Sequence, residues 1–352
     1  MPLNQAISLN TFQQTSFGYF APVMIKTVAY PRAALIGNPS DGYFGKTIAF
    51  VFKNFQAEVE LEESQHLHII PCDRDRMDFS SLSELANEIS EFGYYGGVRL
   101  IKASLKTFAD YCGKEGITLS PKNFTIRYAS TIPHRLGLAG SSAIVTATIR
   151  SLMEFYGVEI DKPQLANLIL SVEKNELKIS AGLQDRVAQV YGQPVYMNFD
   201  EQLMKETGAG EYIAFNKQLL PPLFLAYRTN LSEGSEVTHN DLAARFAKHD
   251  PAVLSAVLQW KELTTKTWNK LKAGDKDIAA LLNENFDIRE QVCEISSGNK
   301  QLIQAARHAG ASAKFTGSGG AIIGTYTNEQ MLQSIISEMK KINAVVILPD
   351  IA

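Results

Sequence analysis

Cysteine is scarce: Cys72, Cys112 and Cys293 are the only 3 in 352 residues. They lie far apart, with no CxxC pair and no histidine-rich neighbourhood, which excludes a disulfide framework and a structural zinc site. That usage fits a reducing compartment, so the chain is expected to be cytoplasmic. No apolar run approaches the ~20 residues of a membrane-spanning helix, and no membrane partner is expected. Residues 1–20 are polar and lack the basic segment and apolar core of a secretory leader. Neither sign of charge is in large excess: 34 Lys and Arg face 37 Asp and Glu, a formal net charge of −3. Such a chain has no overall field to gather nucleic acid, and none is expected as a partner. Two phosphate-binding signatures are also missing, the GxxxxGK[ST] loop and the GxGxxG turn.

What remains is ordinary globular material, 45% hydrophobic and 20% charged. The length favours two domains. Strand-like text, with Ala57, Val59 and Leu61 alternating with glutamates, precedes a helical stretch from Val98 and a strand at Phe124–Tyr128. The text changes after Asp200. Residues 201–216 read as loop, Leu223–Tyr227 as a strand, and long polar helices follow. An α+β layout is expected, with domains at 1–200 and 201–352.

The most informative segment is Gly137-Leu138-Ala139-Gly140-Ser141-Ser142-Ala143, which opens directly into a helix. Glycine lets backbone and ligand approach closely. A helix start presents unpaired N–H groups and the positive end of the dipole, a ready anion site. The same text also describes a plain turn with a serine cap. Glu173 draws attention separately. It continues the apolar stripe of Leu165, Leu168, Ile169 and Val172, where a carboxylate needs a partner; a salt bridge, or a place at the edge of the stripe, would account for it. Asp185 follows Gly182 and suits the first turn of a helix.

The run Pro133-His134-Arg135-Leu136-Gly137-Leu138-Ala139-Gly140-Ser141-Ser142-Ala143 resembles the Pro-x-x-x-Gly-Leu-x-x-Ser-Ser-Ala signature of the GHMP kinases, with Ala139 standing where glycine is common. Two further blocks fall in that family's order: Pro31 to Asp41, without the usual glycine after proline, and Lys314 to Ala321. Gly37 to Gly45, Gly93-Tyr94-Tyr95-Gly96-Gly97 and Gly182 to Gly192 look like plant-type glucuronokinases.

The resemblance implies the two-domain GHMP kinase fold, with a ribosomal protein S5 domain 2-like N-terminal domain and a ferredoxin-like C-terminal domain. It implies ATP and Mg²⁺ as cofactors and a sugar-acid acceptor, phosphorylated on the anomeric hydroxyl of D-glucuronate. Pro133 and Gly137 to Ala143 would hold the nucleotide. Ser142, with Ser141 close behind, and Glu173 would hold the metal. Asp185 would accept or orient the hydroxyl proton, with Arg32 keeping it ionised. Asn38, Asp41 and Tyr43 would line the sugar, Gly317, Ser318 and Gly319 would close on it, and Arg186 or Lys314 would meet its carboxylate. Gly93 to Gly97 would lie on the nucleotide side. A galactose, arabinose or mevalonate kinase, or a non-catalytic sensor of the same fold, is the alternative. The chain is expected to be a monomer or weak homodimer.

Overall fold

A computed structural model describes residues 24–73, 75, 77–92, 96–228 and 235–352; the leader 1–20 and Gly93 to Tyr95 lie outside them. The strands are β1 (Met24–Ala29), β2 (Arg32–Ile36), β3 (Lys46–Val51), β4 (Ala57–Ser64), β5 (His68–Ile70), β6 (Asn123–Ser130), β7 (Val195–Asn198), β8 (Glu211–Ala214), β9 (Leu223–Tyr227), β10 (Lys314–Phe315), β11 (Ala321–Thr325) and β12 (Val345–Ile347). The helices are α1 (Leu82–Phe92), α2 (Gly97–Lys114), α3 (Gly140–Tyr156), α4 (Lys162–Ser171), α5 (Leu183–Tyr191), α6 (Glu201–Thr207), α7 (Ser235–Ala247), α8 (Pro251–Lys272), α9 (Ala279–Val292), α10 (Ser297–His308) and α11 (Glu329–Lys341).

They form three four-stranded sheets, ordered β1-β4-β6-β5, β2-β3-β7-β8 and β10-β11-β9-β12. In the first, the period-2 alternation decides the faces. Ala57, Val59 and Leu61 are fully buried against α3, while Glu58 and Glu60 turn out to pair with Lys26. Strand β2 shows no alternation because both faces are covered: all five residues are buried, with α5, α8 and α9 packed against it. That burial carries Arg32 inside. The third sheet has its own apolar cluster, including Phe224, Phe286, Leu302, Phe315, Ile322 and Met339. The chain end returns to the second sheet, where Lys53 N–H donates to the Asp350 carbonyl at 2.8 Å.

Residues 201–216 are not loop. Asp200 caps α6 by accepting from the N–H groups of Gln202 and Leu203, and β8 pairs with β7 as the edge of the second sheet. Neither element advertises itself, because α6 buries no residue and β8 is a four-residue edge. The helix that carries the stripe from Leu165 to Val172 changes character along its length. It is α-helical to Ser171 and then widens into a π-helical turn at Val172–Glu176. Among the described residues, no helix is long and apolar enough to cross a membrane.

One local feature is strained. Ala139, the residue before α3, is left-handed at φ 61°, ψ 43°, a conformation that costs a non-glycine residue about 1–2 kcal/mol. Glycine removes that strain but loses more chain entropy on folding. Ala139→Gly is therefore expected to stabilise the protein by about 0.5–1 kcal/mol, read as a higher urea midpoint at unchanged m-value. A lower midpoint would contradict the strain argument.

Candidate active site

The site grows from the helix starts. Several helices carry side-chain caps: Asp161 on α4, Asp250 on α8, Ser296 on α10 and Asn328 on α11. Helix α3 has none. Its first N–H groups, from Gly140 to Ser142, are thus left to the loop Gly137–Ala139 in front of them. The paired serines then divide. Ser142 is fully buried and its hydroxyl donates to the Ala139 carbonyl at 3.1 Å. Ser141 is exposed, and its hydroxyl donates to Glu173 Oε1 at 2.7 Å. Ser141 is therefore the exposed serine of the pair. Ser142, the serine that the resemblance offers first for the metal, has its hydroxyl turned inward onto the Ala139 carbonyl.

Glu173 sits in the π-helical turn with 1% of its surface exposed. Such turns often mark functional positions in helices. Its second oxygen, Oε2, accepts from Arg186 Nη2. Arg186 is also buried; its Nη1 donates to the Gly182 carbonyl at 2.8 Å and to Asp185 Oδ2 at 3.3 Å. An arginine so engaged is not a free cation for a sugar carboxylate, and that expectation is withdrawn. Its role is to neutralise two carboxylates, which in turn raise its own pKa against the opposing effect of burial.

Asp185 occupies the first turn of α5, as expected. Arg32 grips it, Nε at 2.7 Å and Nη2 at 2.5 Å from Oδ1. Burial works to raise the Asp185 pKa, but Arg32 and Arg186 outweigh it, and the carboxyl is held below its ordinary value. Arg32 has further duties. Its Nη1 donates to the Gly137 and Thr316 carbonyls, while its backbone N–H donates to the Leu138 carbonyl at 3.0 Å. One side chain from β2 thereby joins the first motif, the phosphate loop and the third motif.

The third motif meets the loop directly. A Cβ at Gly317 would lie 2.2 Å from the Gly137 carbonyl oxygen and 3.0 Å from Arg32 Nη1, so only glycine fits that crossing. Gly317, Ser318 and Gly319 are held from behind: Arg289 donates to the Gly317 and Ser318 carbonyls at 2.7 and 2.9 Å, and Asn299 Oδ1 accepts from Gly320 N–H at 2.8 Å. Arg289 was not singled out beforehand. It lies on the buried stripe of α9 with Leu282, Phe286 and Val292, the same signal, a charge on an apolar face, that singled out Glu173.

The remaining expected residues separate. Asn38 is 3% exposed and faces protein: Oδ1 accepts from Lys314 Nζ, and Nδ2 reaches the Phe315 and Gly317 carbonyls at 3.4 Å. Its expected sugar contact is replaced by a bridge between the first and third motifs. Lys314 is equally enclosed, with Nζ donating to the Ala34 carbonyl at 2.7 Å. Burial, then the charges of Arg289 and Arg32, lower its pKa well below the usual lysine range. It is a structural donor, not a carboxylate clamp. Tyr43 is buried with its ring 5.0 Å from that of Phe246; burial first, and Asp41 second, push its hydroxyl pKa up. Pro133 is half-buried at the head of the loop.

Asp41 does reach the centre. Its carboxylate lies against the start of α5, where a Cβ at Gly182 would come within 2.1 Å of its Oδ2. Burial, then the charge of Asp185, raise its pKa to about 6, against the pull of Arg32. A raised carboxyl favours folding in its protonated form. Its contribution is complete below about pH 4, the ordinary aspartate value, and is lost as pH rises through about 6. Asp185 acts in the opposite sense, contributing above about pH 4 and losing that contribution on acidification. Asp41→Asn should therefore gain stability relative to wild type as pH rises from about 4 through about 6 in urea unfolding. A pH-independent difference would show that Asp41 is not perturbed.

Among the described residues no cluster of three or more His, Cys, Asp or Glu could enclose a metal ion. What the site offers is one exposed hydroxyl, one buried carboxylate, an uncapped helix start and an ionised aspartate beneath a buried arginine. That set can hold a polyanion at one end and orient a hydroxyl at the other.

Residues 99–193 match the family described as GHMP kinases N terminal domain. The chain is 42% identical over 311 residues to glucuronokinase 1 of Arabidopsis thaliana, covering 86% of this chain and 85% of that protein. It is 43% identical over 304 residues to probable glucuronokinase 2 of the same plant, covering 84% and 82%. Among solved structures, Lactococcus lactis galactokinase complexed with galactose superposes with a TM-score of 0.70 at 13% identity, covering 93% of each chain. The mevalonate kinase of L. major in complex with R-mevalonate gives 0.66 at 16%, covering 94% and 98%.

Proposed function

This chain belongs to the GHMP kinases, and on that premise we propose that it transfers the terminal phosphoryl group of ATP to the anomeric hydroxyl of D-glucuronate, giving ADP and 1-phospho-α-D-glucuronate. The observation that carries the reading is a single connected network. Ser141, Glu173, Arg186, Asp185 and Arg32 follow one another by hydrogen bonds from the start of α3 to the start of α5. The acceptor class comes from the 42% and 43% identity to the two plant proteins over most of both chains.

In this reading the free N–H groups of Gly140 to Ser142 bind the triphosphate. Asp185 orients the anomeric hydroxyl and takes its proton as the bond to phosphorus forms. A carboxylate held below its ordinary pKa is a weak base. It suits a loose phosphoryl transfer, in which the hydroxyl proton leaves late and placement matters most. Arg32 keeps that carboxylate ionised and brings positive charge near the reacting end.

The residues present also fit the nucleotide's Mg²⁺. Such an ion takes few protein oxygens, and the Ser141 hydroxyl and Glu173 carboxylate supply two of them side by side. When bound, it would neutralise charge on the phosphates. Glu173 Oε2, paired with Arg186, leaves Oε1 as the ligating oxygen.

The two halves of the chain are assigned as a nucleotide-binding half and a closing half. Because β8 joins the second sheet, the seam between them is drawn after Ala214 instead of at residue 200. Purified protein with ATP, Mg²⁺ and a panel of glucuronate, galactose, arabinose and mevalonate tests the substrate, read by ADP release. Release with glucuronate alone is the expected result. Release with galactose, arabinose or mevalonate in its place would reject glucuronate and retain the kinase class.

A further inference from the structure

Arg289, on the buried stripe of α9, is 3% exposed. Its guanidinium forks across two consecutive peptides: Nη1 donates to the Gly317 carbonyl at 2.7 Å and Nη2 to the Ser318 carbonyl at 2.9 Å. The Phe315 ring lies under the fork, 5.1 Å from the guanidinium carbon. Both peptides are trans, so each N–H points opposite to its carbonyl. Pinning the Gly317 and Ser318 carbonyls therefore aims the N–H groups of Ser318 and Gly319 away from Arg289. The Ser318 nitrogen stands on the phosphate-loop side: a Cβ at Gly137 would lie 2.8 Å from it and 3.2 Å from the Ser318 hydroxyl oxygen. Among the described residues neither N–H has an acceptor. Gly317 and Ser318 are only half-buried, so the loop has an open side. Successive N–H groups that are fixed, unpaired and reachable make an anion site.

We propose that Arg289 is a positioning residue for phosphoryl transfer, which aims the N–H groups of Ser318 and Gly319 at the phosphoryl group as it passes from ATP to the acceptor. The inference rests on the kinase reading above and deepens it. In the transfer the bond from the terminal phosphorus to ADP breaks and the ADP oxygen keeps the electron pair. The bond to the acceptor oxygen forms, and the acceptor's proton passes to Asp185. Charge is meanwhile spread over the three other oxygens of the moving group. The start of α3 supplies N–H groups to the triphosphate, and the third loop, packed on Gly137, supplies two more. Donors fixed in advance cost no reorganisation as that charge develops, so their loss falls on kcat and not on the binding of ATP. A lysine at position 289 keeps the positive charge, but its point-like ammonium cannot hold both carbonyls in one fixed plane.

The test compares wild type, Arg289→Met, Arg289→Lys and Arg307→Met by kcat, KM for ATP and Tm, with saturating acceptor. Arg307 is the structural control. It also packs on α9, with Nη2 donating to the Asn283 carbonyl at 3.0 Å, Nη1 at 2.7 Å from Asp287 Oδ1 and its guanidinium over the Phe286 ring, but it touches neither glycine loop. Arg289→Met should lower kcat about 10–100-fold and leave the KM for ATP within about 3-fold of wild type. Arg289→Lys should lie between the two, still about 3-fold or more below wild type, and it carries the comparison should the methionine variant not fold. Arg307→Met should lower Tm and keep kcat within about 2-fold. Near wild-type kcat in the Arg289 variants would overturn the proposal. So would a fall in kcat that Arg307→Met reproduces at the same loss of Tm, or a rise in the KM for ATP at unchanged kcat. An acceptor other than glucuronate displaces the substrate reading alone, and the same four proteins are then compared with that acceptor. A wild-type protein that turns over no acceptor refutes the kinase reading, and the role of Arg289 with it.

Discussion

Asp185→Asn should reduce kcat by about 10²–10⁴-fold, the usual contribution of a positioned proton acceptor, with the KM for ATP little changed. The substitution keeps the shape of the side chain and its place in the first turn of α5. It removes the charge to which Arg32 is bound through two nitrogens, so Arg32 will hold the asparagine less firmly, and some loss of stability accompanies the loss of turnover. The two effects separate by assay. Steady-state ADP release with saturating ATP and acceptor gives kcat, and nucleotide binding measured by thermal shift should persist, since Gly140 to Ser142 lie on a different helix. Turnover within a few-fold of wild type would mean that another group takes the proton, and the assignment of Asp185 would fall with it.

Glu173→Gln should destabilise the protein by about 3–5 kcal/mol, the range seen when one partner of a buried ion pair is removed. Glu173 and Arg186 have side chains exposed by only 1% and 4%. With the carboxylate gone, the Arg186 guanidinium stays buried, and Asp185 at 3.3 Å is its remaining anionic partner. Urea unfolding measures the loss. The double variant Glu173→Gln, Arg186→Met should recover most of it, because neither charge is then left uncompensated. It should not recover turnover, because the carboxylate beside Ser141 is still missing. A single variant as stable as wild type would mean that the pair is open to water. Recovery of both stability and turnover would confine Glu173 to a structural role.

Much of this was legible along the chain. Glycines ahead of a serine pair at a helix start, a glutamate on an apolar stripe and an aspartate just after a glycine are local patterns, and each obeys a rule of a few residues' reach. They placed α3, put Glu173 inside and set Asp185 at the head of α5. Family motifs in order along the chain brought the loop, Arg32 and Lys314 into one site. What local text cannot carry is the direction in which a side chain points once a distant segment packs against it. Ser141 and Ser142 are adjacent and chemically alike, yet the turn of α3 exposes one hydroxyl and buries the other. Arg186 and Lys314 are cations at the right addresses, but Glu173, 13 residues before Arg186, and Asn38, 276 residues before Lys314, claim them. Asn38 looks like turn chemistry and serves as a bridge between halves.

The sequence by itself thus determined which elements begin in the site and which acids enter it, because periodicity, capping and glycine geometry act over one or two helical turns, while the order of the family motifs carried the chemical class. Only the tertiary structure decided which of those groups remain available to a ligand. Availability is what is left after every buried charge and hydrogen-bonding group has found a partner. Those partners, Arg32 for Asp185 across 153 residues and Thr316 for Arg32 across 284, are brought together only by the packing of β2 beneath both glycine loops.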